Sequence, residues 1–323
     1  MQEKDQGLKD RHAGRSICRY VLFLVAVLVA ASAIALAAAV HRARKQALAV
    51  ERLRAAGLTA FYDYEMAEFG RPDRSGSAVM PGPLWLKHLF GVDLFHNVTA
   101  VAGPPPPDEA CERIVDSALA PLEQLPEVTT VLLTACNNIT DAAVPHLLSL
   151  KKITHLDLNG TGISDVGVTA LRGLTTLRWL DLDFTSTTDA GLRAISELPN
   201  LENLALADTR ITDAGLRALR ACQSLRYLSL QFCAVTSAGL AQLESLGRLE
   251  YVGLDGTAIG NADADNLGRL KSLRVISLGR CKITKRGEQR LRELIPGLQT
   301  MPGGGGDMIG GGMGALSHTE EEP

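Results

Sequence analysis

The side chains from which catalysis or metal binding would start are thinly spread in this chain. Seven histidines are scattered over 323 residues, and none stands at a metal-ligand spacing from another. His88 and His96 flank Asp93, a grouping that ordinary surface polarity accounts for. The six cysteines, Cys18, Cys111, Cys136, Cys222, Cys233 and Cys281, include no CxxC. They read as small buried residues in the reduced state, with Cys111 and Cys136 the one pair to weigh as a disulfide. The glycine runs at 303–306 and 310–312 lack the Lys-Ser/Thr ending of a phosphate loop. No catalytic, metal or cofactor site is expected, and the chain reads as non-enzymatic. Binding chemistry remains. Trp179, Tyr227 and Tyr251 fall at multiples of 24 residues from one another, and Asp157, Asp181 and Asp183 lie close by. Tryptophan and tyrosine are the commonest anchors of protein interfaces. The rival reading is that aromatic residues are simply favoured in strands.

That spacing comes from a repeat. Leu156, Leu180, Leu204, Leu228, Val252 and Ile276 lie 24 apart without a gap, and each opens the same phrase. An earlier copy starts at Val131 and is one residue longer, the extra residue falling among Ala135, Cys136 and Asn137. Self-similarity at a period of about 20–29 residues marks a leucine-rich repeat. In the copy at Leu204, Leu204 and Leu206 alternate with Asn203, Ala205 and Ala207, a short strand buried on one face. Thr209 turns inward to bond the loop backbone, a slot held elsewhere by Cys136, Thr161, Thr185, Cys233, Thr257 and Cys281. Ile211 fills the bend. Asp213 reads as a helix N-cap, repeated by Asp141, Asp165 and Asp189, with Ser237 as a substitute. Leu216 and Leu219 give the helix one apolar stripe, and Leu225 returns the chain to the next strand.

One such unit cannot bury its own face, but stacked units can. Each strand follows the last in the same direction after a helical crossover, so the sheet is parallel. The expected fold is an α/β solenoid over 131–298, with strands on a concave face and helices outside. The residues pointing away from the core then form rows. The first holds Thr130, His155, Trp179, Asn203, Tyr227, Tyr251 and Val275. The second holds Leu132, Asp157, Asp181, Ala205, Ser229, Gly253 and Ser277. Asn159, Asp183, Ala207, Gln231, Asp255 and Gly279 follow, then Phe184 and Phe232. The candidate partner-binding face is Trp179, Tyr227, Tyr251, Asp157, Asp181, Asp183, Phe184 and Phe232.

The flanks carry different signals. Residues 1–19 are polar and mixed in charge, which predicts a disordered tail. Residues 20–40 carry no charge, and 21 residues of helix at 1.5 Å each make roughly 30 Å, the thickness of a bilayer core. The expectation is a single membrane-spanning helix. The rival is a cleaved signal peptide, since Ala31-Ser-Ala33 and Ala37-Ala-Ala39 resemble cleavage sites. Basic residues balance on the two sides, and a weak lean places the large C-terminal part outside the cytoplasm. Residues 41–57 continue as a juxtamembrane helix closed by Gly57. Residues 58–130 read as a cap over the open end of the solenoid, with a strand near Tyr62, a short helix over 83–90, a degenerate strand at 98–101 and a helix over 108–125. The segment 299–323 reads as a flexible glycine-rich tail. The formal charge of −3 gives no sign of a nucleic-acid binder. Counted over 131–298, Lys plus Arg is 19 and Asp plus Glu is 17, a balance of +2.

The phrase Ile-Thr-Asp-Ala-Gly-Leu at 211–216 resembles the ribonuclease-inhibitor and cysteine-containing class of leucine-rich repeats. The layout of 20–298 also resembles that of membrane-anchored bacterial proteins with such repeats. There an apolar helix and a basic stretch precede a Tyr-Asp-Tyr-Glu element, here Tyr62 to Glu65. A Pro-Gly-Pro-x-Trp-Leu element, here Pro81 to Leu86, and a Phe-x-x-Val strand, here Phe95 to Val98, follow it. The resemblance implies protein or peptide binding through the arc. Relatives with cysteine-containing repeats include substrate adaptors of ubiquitin ligases, but those carry an F-box and no such helical segment is evident. A self-associating cell-envelope scaffold is the other class of function the layout permits. Asn97-Val-Thr, Asn138-Ile-Thr and Asn159-Gly-Thr match glycosylation sequons, which a bacterial host would leave bare.

Overall fold

A computed structural model of the chain describes residues 2–66, 72, 78, 91–106 and 109–301, with side chains from residue 24 onward. Two compact units emerge: Met1–Leu48 with Gly82–His96, and Ala49–Pro81 with Asn97–Pro323. In the first, helix α1 starts at Gln2 and runs to Ala55. The expected irregular tail over 1–19 is therefore corrected, since residues 2–19 contain no proline to stop helix propagation from the apolar run. Gln46 Nε2 donates to Asp93 Oδ1 at 3.0 Å and to the His96 carbonyl at 2.7 Å. In the second unit α1 ends as read. Gly57 takes φ +89°, and the Leu58 amide donates back to the Leu53 carbonyl at 2.9 Å.

Among the described residues of the second unit, ten strands follow one another in chain order within one sheet. β1 (Thr59–Tyr62) is antiparallel to β2 (Val98–Ala102). Every later pairing is parallel: β3 (Thr130–Leu132), β4 (His155–Asp157), β5 (Trp179–Asp181), β6 (Asn203–Ala205), β7 (Tyr227–Ser229), β8 (Tyr251–Gly253), β9 (Val275–Ser277) and β10 (Gln299–Met301). The register is one-to-one, so Leu156, Leu180, Leu204 and Leu228 stand in a single column, fully buried. Ile211, Leu216, Leu219 and Leu225 are buried as well, as the repeat pattern requires. The threonine slot also behaves as read: Thr161, Thr185, Thr209 and Thr257 each donate to the carbonyl three residues back at 2.6 Å. Cys233 and Cys281 reach further, to carbonyls of the preceding repeat at Leu206 and Leu254, both at 3.0 Å. Cys111 and Cys136 are free thiols. Both are directed at the Thr134 carbonyl, at 3.6 and 3.8 Å.

The aspartates of the repeat act otherwise than expected. The N-caps are the residues before them: Thr140, Ser164, Thr188, Thr212 and Thr236 each accept from the amide two residues on. The aspartates are thereby free to reach the next repeat. Asp165 accepts from the Thr188 amide (2.8 Å), the Thr188 hydroxyl (2.6 Å) and the Gly191 amide (3.0 Å). Asp141 does the same to Ser164 and Gly167. Asp189 and Asp213 bond Thr212 and Thr236. Asn261 takes the role toward Thr284. These carboxylates rivet one repeat to the next along the outer edge. A Cβ on Gly191, Gly215 or Gly239 would meet the preceding repeat's carboxylate oxygen at 2.6, 2.2 and 2.2 Å, so the repeat needs glycine there.

The ends differ from expectation in two further ways. Residues 109–124 form two short 3₁₀ segments, Glu109–Arg113 and Asp116–Gln124, where one helix was expected. Extended Val115 divides them, and Pro121 supplies no amide for an α-helical bond. Asp116 bonds the Thr140 amide and hydroxyl at 2.6 and 2.7 Å, so the degenerate strand read at 98–101 opens a further copy of the repeat, rivet included. At the other end Gln299–Met301 forms β10, which shortens the expected tail of 299–323. The short helix over 83–90, the Pro-Gly-Pro-x-Trp-Leu element and the rest of that tail lie outside the described residues.

Candidate concave binding face

Each strand carries its core residue at the centre, so the residues on either side point to the concave face. Parallel pairing in register aligns them: His155 with Trp179, Trp179 with Asn203, Asn203 with Tyr227, Tyr227 with Tyr251, and Tyr251 with Val275. The aromatic row exists as read. Tyr227 and Tyr251 stack with centroids 4.3 Å apart and rings 2° from parallel, the spacing that neighbouring strands impose. The imidazole of His155 lies 6.3 Å from the Trp179 ring. The expected exposure of the row is corrected, however. Trp179, Tyr227 and Tyr251 are 6%, 5% and 1% exposed and form one cluster with Ala205 and Val275, against which Leu132 and Met301 pack. Small neighbours allow this, since a Cβ at Gly253 would stand 3.1 Å from the Tyr251 hydroxyl.

Among the described residues of 131–298, the exposed phenylalanines are Phe184 and Phe232, 57% and 44% accessible. Both were read from the sequence as candidate binding residues; the backbone conformation they share was not. Ala135, Gly160, Phe184, Asp208, Phe232, Gly256 and Arg280 all have positive φ, between 51° and 70°, and all but Ala135 lie on the 24-residue period. The left-handed turn ends each strand and throws the side chain clear of the sheet. A glycine at two of these positions was the available signal. The Arg280 guanidinium lies over the Phe232 ring at 5.7 Å.

The acidic residues gather where expected. Asp157 and Asp181 each accept from the amide two residues on, both at 2.9 Å. Asp157 also takes the Thr134 hydroxyl at 2.6 Å. Asp183 accepts from the Ala207 amide. Burial, and then the charges of Asp183 and Asp157, hold the Asp181 carboxyl well above the usual carboxylate range. Burial and Asp157 push Asp183 up to about 7, against the pull of the Ala207 amide. Asp255, three periods beyond Asp183, was passed over as a site residue. Its Oδ1 accepts from the Gly279 amide at 2.6 Å, as Asp183 does from Ala207. Its Oδ2 is buried without a hydrogen-bond partner, as are the Tyr251 hydroxyl and the Ser277 hydroxyl. Tyr227, Gln231 and Ser277 lie near the Tyr251 phenol but outside bonding geometry. Among the described residues, no group of three or more His, Cys, Asp or Glu side chains is placed to hold a metal ion.

A family model described as leucine-rich repeat matches residues 149–171, 197–219 and 221–243. No curated protein matches the chain. Solved structures similar to it include an internalin C2 of Listeria monocytogenes, at 26% identity and a TM-score of 0.47, covering 60% of this chain and 82% of that one. Another Listeria monocytogenes internalin is 19% identical, with a TM-score of 0.41 over 56% and 62% of the two chains. A leucine-rich repeat protein of Leptospira interrogans is 16% identical, with a TM-score of 0.41 over 56% and 50%. With its parallel ladder in register, its buried leucine column and a leucine-rich repeat family model matched in three of its repeats, residues 131–298 form a leucine-rich repeat solenoid.

Proposed function

We propose that the chain is a non-enzymatic, membrane-tethered interaction module that binds a protein or peptide on its concave face. The observation that carries this reading is the aromatic row. Trp179, Tyr227 and Tyr251 make a rigid, packed floor, and Phe184 and Phe232 stand exposed at its rim. A floor fixed on both sides by neighbouring strands loses little ordering entropy when a partner lands on it. The partner contacts Phe184 and Phe232 first and is oriented by Asp157, Asp181 and Asp183. The tether is the apolar part of α1, which is long and apolar enough to cross a membrane; a signal sequence satisfies the same criteria of length and composition.

The test is crosslinking of the tagged full chain in its native membrane, wild type against Phe184→Ala/Phe232→Ala. Both residues are exposed, so the variant keeps its core, and circular dichroism checks this. The expected result is loss of the crosslinked partner, since a truncated aromatic anchor costs on the order of 2 kcal/mol. Equal recovery of the same partner from both proteins overturns the concave-face reading.

A further inference from the structure

The face has a charge asymmetry that the composition conceals. Over 131–298 basic residues exceed acidic ones by two, yet the three outward rows contain no lysine or arginine. They contain Asp157, Asp181, Asp183 and Asp255. All four are buried, between 3% and 9% exposed. Charged side chains are rarely buried unless they are paired. Burial first raises the pKa of both Asp181 and Asp183, and neighbouring carboxylates add to it, Asp183 and Asp157 for Asp181 and Asp157 for Asp183. Around Gly253 the deficit is atomic. The Tyr251 hydroxyl, Asp255 Oδ2 and Ser277 Oγ lie buried with no partner, and Ser277 is the residue paired with Gly253 across β8 and β9. The cradle offers one carboxylate acceptor and two hydroxyls, a set complementary to a cationic donor.

We propose that the concave face takes an extended basic segment of a partner protein, seating one cationic side chain at Asp181 and Asp183 and a second at Asp255, Tyr251 and Ser277. This rests on the concave-face reading and names the partner's chemistry. The two stations occupy equivalent places on β5 and β8, three strand steps apart. At about 4.8 Å per step they are roughly 14 Å apart, and an extended chain rising about 3.4 Å per residue covers that in four residues. The segment therefore carries arginine or lysine at positions i and i+4.

The test measures fluorescence anisotropy of a synthetic peptide with two arginines four residues apart in a glycine-serine background, against the detergent-solubilised full chain at low salt. A matched peptide carries glutamate in place of arginine. The arginine peptide should bind and the glutamate peptide should not. Asp183→Asn and Asp255→Asn keep the Oδ1 acceptor for Ala207 and Gly279 and remove the charge, and each should weaken binding about tenfold, the effect of losing one charge-assisted contact. If either fails to fold, Tyr251→Phe and Ser277→Ala carry the test, with a several-fold weakening expected. Equal affinity for the two peptides, or unchanged affinity in every folded variant, overturns the proposal. Should Phe184→Ala/Phe232→Ala still abolish native crosslinking in that case, the concave-face reading stands and only the basic specificity falls. Should the arginine peptide behave as expected while native crosslinking ignores the phenylalanines, the basic specificity stands and the native site lies elsewhere.

Discussion

Single residues show how close the sequence reading came and where it slipped. An aspartate ahead of an apolar helix reads as an N-cap, and here the threonine before it takes that place, because its hydroxyl reaches the amide two residues on. The carboxylate then spans to the next repeat. That partner lies 23 residues away, beyond any local rule, but the glycine two places after Asp165, Asp189 and Asp213 was legible as a site of close approach. Gly215→Ala tests it. In an exposed helix such a change stabilises by up to about 1 kcal/mol, whereas here the new methyl falls 2.2 Å from Asp189 Oδ1. The variant should lose roughly 1–3 kcal/mol in urea unfolding, and less of this when Asp189 is alanine too. Additive losses would show that the two residues do not meet. Asp183 makes a second case. Its folded pKa of about 7 stands above the ordinary 3.8, so the folded state binds the proton more tightly. Its share of stability is full below about pH 4 and is lost as the pH rises through 7, up to about 4 kcal/mol. Asp183→Asn should therefore be more stable than wild type at pH 8 and gain less on acidification to pH 5, keeping a residual dependence from Asp181, which is shifted the same way. Parallel curves of urea midpoint against pH would refute this.

At the scale of elements, the repeat phase, the parallel order and the inward columns were all legible, because a strict period fixes which residues face the core. What escaped was how the cap is bonded to the first full repeat. Its copy of the rivet, Asp116 to Thr140, sits in a segment whose Pro121 and short 3₁₀ turns hide the helical pattern. The rivets also reveal one weak joint. Where the series calls for an aspartate and a threonine, the chain has Ser237 and Gly260, and the Gly260 amide turns instead to Asp263 within its own repeat at 2.8 Å. Position 263 is where five of the other copies carry glycine, Gly167, Gly191, Gly215, Gly239 and Gly287. Ser237→Asp alone would set a carboxylate against that of Asp263 and should destabilise by about 1 kcal/mol. The triple change Ser237→Asp, Gly260→Thr, Asp263→Gly restores the rivet and should stabilise by about 1–2 kcal/mol, the worth of one or two charge-assisted hydrogen bonds. Hydrogen exchange in β7 and β8 would slow in the triple variant. A triple variant no more stable than Ser237→Asp would mean that the weak joint has another cause.

For the whole molecule the question is what the apolar stretch of α1 is for. Its two parts obey different rules. In the second unit Ala49, Val50 and Leu53 are buried, at 0%, 3% and 0%, as in any helix packed on a core. In the first, Leu28, Val29, Ile34 and Leu36 are 60–71% exposed, and the most apolar window has a mean hydropathy of 2.4 with none of it buried. Apolar surface left in water costs about 25 cal/mol per Å². A helix apolar on every side has no polar face to turn outward, a pattern that a membrane span and a signal sequence share. Residues 20–40 match a bilayer core in length, and basic residues flank the stretch on both sides in the sequence. The full chain should therefore stay with the membrane pellet after extraction at high pH and leave it only with detergent. Arginine substitution at Val29 and Ile34 together should release it, since each charge near the bilayer centre costs about 2.5–3.5 kcal/mol. Release of the unmodified, full-length chain by alkali would rule out the anchor. A mature N-terminus near residue 40 would instead identify the stretch as a signal sequence.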